Sequence, residues 1–145
     1  MKKQKGFTLI ELLVVISIIG LLSTLAVVSL NNARQKSRDA KRISDVRQIQ
    51  TALELYYNDA NGYPPASPAL PSVFSGTALT FNSITYMGMI PTAPLPFDTG
   101  CTADNNSYAY VGTTGGTTYS ITYCLGANTG GVTPGPHTAT PLGIQ

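Results

Sequence analysis

Few residues in this chain are equipped for chemistry, and their placement limits which kinds. The 145 residues hold one histidine, His137, and two cysteines, Cys101 and Cys124. Nucleophilic catalysis needs an oriented base. His137 stands among Gly and Pro, where spacing places no carboxylate or nucleophile to work with it. No glycine-rich phosphate loop is present, so the chain reads as a non-enzyme and no cofactor is expected. Asp98, Asp104, Asn105 and Asn106 form an oxygen-rich segment. Hard oxygen donors suit calcium, which makes Asp98 and Asp104 weak calcium candidates. Their spacing matches no metal loop, however, and a plain turn fits better, so the expectation is no metal. Asn105-Asn106-Ser107 also fits the short N-glycosylation pattern,. Cys101 and Cys124 read as a disulfide if their half of the chain lies outside the cytoplasm. That bridge would close a loop of roughly 24 residues and contribute ~3 kcal/mol in the chain-entropy model.

The most informative single residue is Glu11, which interrupts an otherwise apolar run over residues 7–30. A carboxylate at mid-bilayer costs roughly 2.5–3.5 kcal/mol and less near the edge. Either it reaches water at the end of the span, or it pairs with a cation inside an assembly. Cleavage before Phe7 would create such a cation, the new α-amine, and a pair of this kind would set register while apolar packing supplied affinity.

The elements that must position these residues follow from the pattern of charge and hydropathy. The apolar run is long enough to cross a hydrocarbon core of about 30 Å as a helix. Lys2, Lys3 and Lys5 precede it and favour a cytoplasmic N-terminus. Six further basic residues between Arg34 and Arg47 argue the other way by charge count alone. The formal net charge is +2, but without the three leader lysines six positive side chains face seven negative ones. Neither this balance nor the basic run, which lacks interleaved aromatics and contains Asp39 and Asp45, supports nucleic acid as a partner. The run reads instead as a solvated helix face.

Beyond residue 30 no helix breaker intervenes. Ala33, Ala40, Ile43, Val46, Ile49, Leu53 and Tyr56 or Tyr57 recur at steps of three and four, which predicts one helix over residues 7–58, ~78 Å long at 1.5 Å per residue. Lys41 and Arg42 are spaced to pair with Asp45 on its polar face. Asn58-Asp59-Ala60-Asn61-Gly62 and Pro64-Pro65 end it,. Residues 66–77 read as an irregular connection and residues 79–87 as a strand. Residues 107–112 and 117–125 alternate around Tyr108, Tyr110, Tyr119, Ile121 and Tyr123, and Gly112-Thr113-Thr114-Gly115-Gly116 makes them a hairpin,. The apolar face of this sheet should cover the helix stripe from Ala40 to Tyr57, with the tyrosines as packing and edge residues. Residues 126–145 read as a flexible tail.

Lys5-Gly6-Phe7-Thr8-Leu9-Ile10-Glu11, followed by the apolar run, resembles the prepilin peptidase site of type IV pilins and type II secretion pseudopilins. The turn Asn61-Gly62-Tyr63-Pro64-Pro65 and the link Ile90-Pro91-Thr92-Ala93-Pro94 resemble features of the same family. An ordinary secretory signal peptide with a cut within residues 29–33 is the competing reading, which an acidic residue in the apolar core disfavours. The resemblance implies cleavage between Gly6 and Phe7, N-methylation of Phe7, and contact of Glu11 with the Phe7 amine of an adjacent subunit. It implies an α+β type IV pilin-like fold, a long N-terminal helix against a small antiparallel sheet. It divides the chain into a leader (1–6), a transmembrane and filament-core half-helix (7–30), an amphipathic half-helix (31–59), a head (60–125) and the tail (126–145). Many relatives carry a proline where Val28 stands, so Gly20 and Ser23 are the remaining points at which the helix could melt locally. A disulfide-bounded C-terminal loop is common in pilins, and major pseudopilins hold calcium in an oxygen-rich loop. The implied partners are prepilin peptidase, the membrane, other copies and minor pilins in a helical filament, and, indirectly, an assembly platform and ATPase. The implied place is the bacterial inner membrane, single-pass, then a surface pilus or an extracytoplasmic pseudopilus. A pilus subunit is the first reading, a major-type pseudopilin of type II secretion the second, and a solitary membrane-anchored surface protein the third.

Overall fold

The computed structural model describes residues 6–65 and 76–144. Most of the connection expected over residues 66–77, and leader residues 1–5, lie outside the described residues. The chain divides into two units, Met1–Arg34 and Gln35–Gln145.

Helix α1 runs Leu9–Ala60. In the first unit its large apolar side chains from Leu9 to Leu30 are all exposed, as expected of a helix whose partners are lipid or other subunits. The polar groups in this run are satisfied within the helix. Ser17 Oγ donates to the Leu13 carbonyl at 2.8 Å and Ser23 Oγ to Ile19 at 2.7 Å, so neither hydroxyl is stranded in an apolar medium. At the other end Asn61 enters the left-handed region (φ 54°), and its N–H reaches the Tyr57 carbonyl at 2.8 Å. That is the C-terminal capping conformation that Asn tolerates.

In the second unit the hairpin of strands β1 (Leu79–Phe81) and β2 (Ile84–Met87) replaces the single strand expected over residues 79–87. The reason is local: Asn82 and Ser83 both take positive φ, 47° and 67°, the pairing of a two-residue hairpin turn. A four-residue helix, α2 (Ala103–Asn106), follows. Strands β3 (Ala109–Gly112) and β4 (Tyr119–Leu125) then form the expected hairpin, with Tyr110 opposite Ile121. Strands β5 (Gly135–Thr140) and β6 (Gly143–Ile144) complete an antiparallel sheet in the order β3-β4-β5-β6.

The flexible tail expected over residues 126–145 is therefore corrected. Thr122 pairs with Thr138 and Tyr123 with His137, and Ala139 is fully buried. Without β5, the far edge of β4 would present unpaired backbone N–H and C=O groups, which edge strands must have covered. The Gly, Pro and Thr content that imitates a linker runs through the strand itself, Gly135-Pro136-His137-Thr138-Ala139-Thr140.

Tyr119, Ile121, Tyr123 and Leu125 alternate inward along β4 and meet Ile43, Val46, Ile49 and Leu53 of α1. Fully burying Ile49 and Leu53 contributes about 1.5–3 kcal/mol each. Ala33 and Ala40, expected on the stripe, are exposed; the buried stripe begins near Asp39 and Arg42 instead. The tyrosines act as packing residues. Tyr57, Tyr63, Tyr119 and Tyr110 form a chain of ring contacts with centroids 4.7, 4.7 and 5.9 Å apart, and Tyr110 donates to the Pro64 carbonyl at 2.7 Å. The architecture is α+β and pilin-like: one long N-terminal helix with small antiparallel sheets.

Candidate functional site

The N-terminal motif is built on the first turn of α1. Gly6, Phe7 and Thr8 precede the helix in non-helical conformation. Phe7 is exposed, and a Cβ at Gly6 would meet nothing. Thr8 stands at the N-cap. Its Oγ accepts the Glu11 N–H at 3.3 Å, and the Glu11 carboxylate accepts the Thr8 N–H at 2.8 Å and the Thr8 hydroxyl at 2.6 Å. This reciprocal pair is a capping box, and it places the acid where the helix dipole favours a negative charge. Glu11 therefore has a partner inside its own chain. The Thr-x-x-Glu spacing of residues 8–11 is the sequence signal of this pairing,.

A second constellation lies in the head unit, where four charges expected on a solvated surface or in a turn come together. Arg42, Asp39 and Asp98 are buried. Arg42 Nη1 donates to Asp39 at 2.7 Å and to Asp98 at 2.6 Å, and Nη2 donates to the Pro94 carbonyl at 2.9 Å. Arg38 completes the cluster, its Nη2 on Asp98 Oδ1 and its Nε on Asp98 Oδ2. Asp39 in turn accepts the backbone N–H of Gly126 at 3.1 Å and of Ala127 at 2.8 Å. Buried charges survive only when paired and hydrogen-bonded, and two arginines here balance two aspartates. Burial pushes the Asp98 carboxyl up, but the hydrogen bonds and charges of Arg38 and Arg42 outweigh it and hold the group below its ordinary range. The hydrogen bond to Asp98 in turn raises Arg38.

Two expectations change with this geometry. The basic run is not wholly a solvated face, because Arg42 belongs to the interior. The expected pairing of Asp45 with Lys41 or Arg42 gives way to the Tyr108 hydroxyl, which donates to Asp45 at 2.9 Å. Asp98 and Asp104, the weak calcium candidates, are not brought together. Both Asp98 oxygens are taken by arginine, Asp104 sits exposed in the first turn of α2, and among the described residues no group of three or more acidic, His or Cys ligands converges. Asn105 is engaged in its own capping box, its Oδ1 accepting the Thr102 N–H at 2.6 Å.

Cys101 and Cys124 form the expected disulfide, with Cα atoms 5.8 Å apart. The bridge ties the segment after Asp98 to the end of β4. His137 lies against the Tyr123 ring, centroids 5.6 Å apart, with Nε2 2.7 Å from the Thr133 carbonyl. This is a packing position.

Residues 1–27 match the family described as "Prokaryotic N-terminal methylation motif". The chain is 35% identical over 97 residues to the type II secretion system core protein G of Escherichia coli K12, covering 63% of this chain and 67% of that protein. It is 39% identical over 69 residues to the core protein G of Aeromonas hydrophila, 48% of each chain. It is 41% identical over 54 residues to a fimbrial protein of Pseudomonas aeruginosa, 37% of this chain and 35% of that one. The chain thus spans about half or less of the length of the latter two. No solved structure matches it. The apolar helix, the N-terminal motif and the E. coli relative agree on a structural subunit rather than an enzyme, and the chain belongs to the type IV pilin and type II secretion pseudopilin family.

Proposed function

We propose that this protein is a filament subunit of the pseudopilin type, acting in type II protein secretion. The observation that carries this reading is the length of the match to core protein G. At 97 residues it is longer than the leader and α1 together, so it extends into the head. The fimbrial match, at 54 residues, is short enough to be accounted for by the N-terminal helix, which serves any member of the family. In this reading prepilin peptidase cuts between the exposed Gly6 and Phe7 and Phe7 is N-methylated. Residues 7–30 hold the subunit in the inner membrane with its N-terminus cytoplasmic, residues 31–59 carry the head, and the head includes the strands after residue 126. Glu11 then exchanges the Thr8 cap for the Phe7 amine of a neighbouring copy, while the exposed apolar face of α1 leaves lipid for the filament core. The partners are other copies, minor subunits, and the assembly platform with its ATPase.

The test is a deletion strain complemented with wild type or Glu11→Ala. Loss of exoprotein secretion, restored by wild type and not by Glu11→Ala, is the expected outcome. Normal secretion together with loss of surface filaments would overturn it in favour of a pilus subunit, the second reading that the fimbrial relative supports. Growth with neither defect, and mature protein that forms no filament, would leave a solitary membrane-anchored surface protein.

A further inference from the structure

We propose that Asn61 is a site of spontaneous deamidation, where the Gly62 amide nitrogen displaces ammonia from the Asn61 side chain and leaves aspartate or isoaspartate in the turn after α1. Asn61 is the only asparagine of this chain followed by glycine. The reaction is intramolecular, so it needs two neighbouring groups that are free to meet. Among the described residues, neither the Asn61 side-chain amide nor the Gly62 N–H makes a hydrogen bond. Asn61 is exposed and Gly62 half-buried, and both line a surface hollow beside Tyr56 and Phe81. Gly62 has no side chain to block the approach. The other asparagines lack this combination. Asn31, Asn32 and Asn58 lie inside α1, where the following N–H is held by the helix. Asn105 is held in its capping box, Asn106 is buried, and Asn82 and Asn128 precede the bulkier Ser83 and Thr129.

The atoms balance with water as the sole co-reactant. The Gly62 nitrogen gives its proton to solvent and bonds to Asn61 Cγ. The Cγ–Nδ2 bond breaks, and Nδ2 takes a proton from water and departs as ammonia. Water then opens the five-membered imide. Breaking the new bond to Cγ leaves aspartate. Breaking the bond from the Gly62 nitrogen to the Asn61 main-chain carbonyl carbon leaves isoaspartate, with one more methylene in the backbone. Either product alters a packed junction. Asn61 caps α1 in the left-handed region (φ 54°). An acid there adds negative charge at the negative end of the helix dipole, where the last turn holds no basic residue. The Tyr63 N–H donates to the Gly116 carbonyl at 2.8 Å, and a Cβ at Gly116 would come within 2.9 Å of the Tyr63 carbonyl oxygen. A backbone lengthened just before Tyr63 must shift this pin to the β3–β4 turn.

The experiment is timed incubation of the full chain in detergent micelles in mildly alkaline buffer, followed by peptide mass mapping and isoaspartyl methyltransferase labelling. The Asn61 peptide is expected to gain the mass of an amide-to-acid exchange, to take up the methyl label, and to release ammonia in equal amount. Gly62→Ala is the control. Gly62 takes no positive φ, and its added Cβ would lie 3.6 Å from the Gly116 carbonyl oxygen, an ordinary contact. This variant is expected to fold as wild type and to react several-fold more slowly, because the methyl crowds the attacking nitrogen. Asn61→Asp is expected to lower the thermal midpoint. A wild-type Asn61 peptide that keeps its mass would overturn the proposal, as would equal rates in wild type and Gly62→Ala. An Asn61→Asp protein that unfolds at the wild-type temperature would overturn the claim that the new charge weakens the junction.

Discussion

Arg42 donates to Asp98 at 2.6 Å across 56 residues of sequence, and both side chains are buried. Removing one partner of such a pair strands the other in a poor solvent for charge. Arg42→Met is expected to cost about 3–5 kcal/mol, read by denaturant titration of the full chain in micelles. The pair also sets an acid limit. Asp98 is held below its ordinary range, so the native state releases this proton more readily than the unfolded chain. Its stabilisation is present at neutral pH and is lost as pH falls below the ordinary carboxylate range, through the lowered native value. Asp98→Asn should lose stability at neutral pH and show a flatter acid limb.

The Thr8 cap and Glu11 are separable by mutation. Thr8→Val keeps the side-chain shape and removes the hydroxyl that meets both the Glu11 carboxylate and its N–H. Loss of an N-cap typically costs about 1 kcal/mol. Faster amide exchange in the first turn of α1, with the head unchanged, is the expected result in micelles.

Reducing the Cys101–Cys124 bridge opens the closed segment that contains α2, β3 and most of β4. The expected loss is ~3 kcal/mol, from restored entropy of the unfolded chain. A chemical-denaturation midpoint that does not move on reduction would show that the bridge adds no stability to the head.

Truncation after Leu125 removes β5 and β6 and exposes the pairing edge of β4. Residues at 0% exposure, including Ile121 and Tyr123, would lose cover. The truncated protein is expected to aggregate through that edge, seen by size exclusion and loss of a cooperative thermal transition. A well-behaved truncated head would restore the flexible-tail reading.

Alkaline pH should probe the tyrosine core. Burial pushes the Tyr119 hydroxyl up to about 12, and Tyr108, Tyr110 and Tyr123 are raised chiefly by burial as well. A hydroxyl that ionises later in the native state gives stability fully present below the unfolded value near 10. That stability falls as pH rises toward the native value. Tyrosinate absorbance from these residues is expected to appear in step with unfolding.

What the sequence by itself determined was local. The apolar run, the unbroken three-and-four stripe and the Asn-Gly-Tyr-Pro-Pro stop describe α1, because each depends on neighbours within a few residues. Alternation around Tyr108–Tyr110 and Tyr119–Tyr123 describes β3 and β4 for the same reason, and the Gly6-Phe7…Glu11 spacing marks the family. Tertiary structure alone decided the rest. Arg42 looks like any surface cation until Asp98 arrives from far along the chain to neutralise it. Residues 135–140 look like a linker until the open edge of β4 offers them hydrogen bonds. Asp98 looks like a turn residue until two arginines from α1 occupy its oxygens. Periodicity reports which face of an element is apolar; whether a charge or a polar strand is buried depends on a partner distant in sequence, and that pairing appears only in the folded chain.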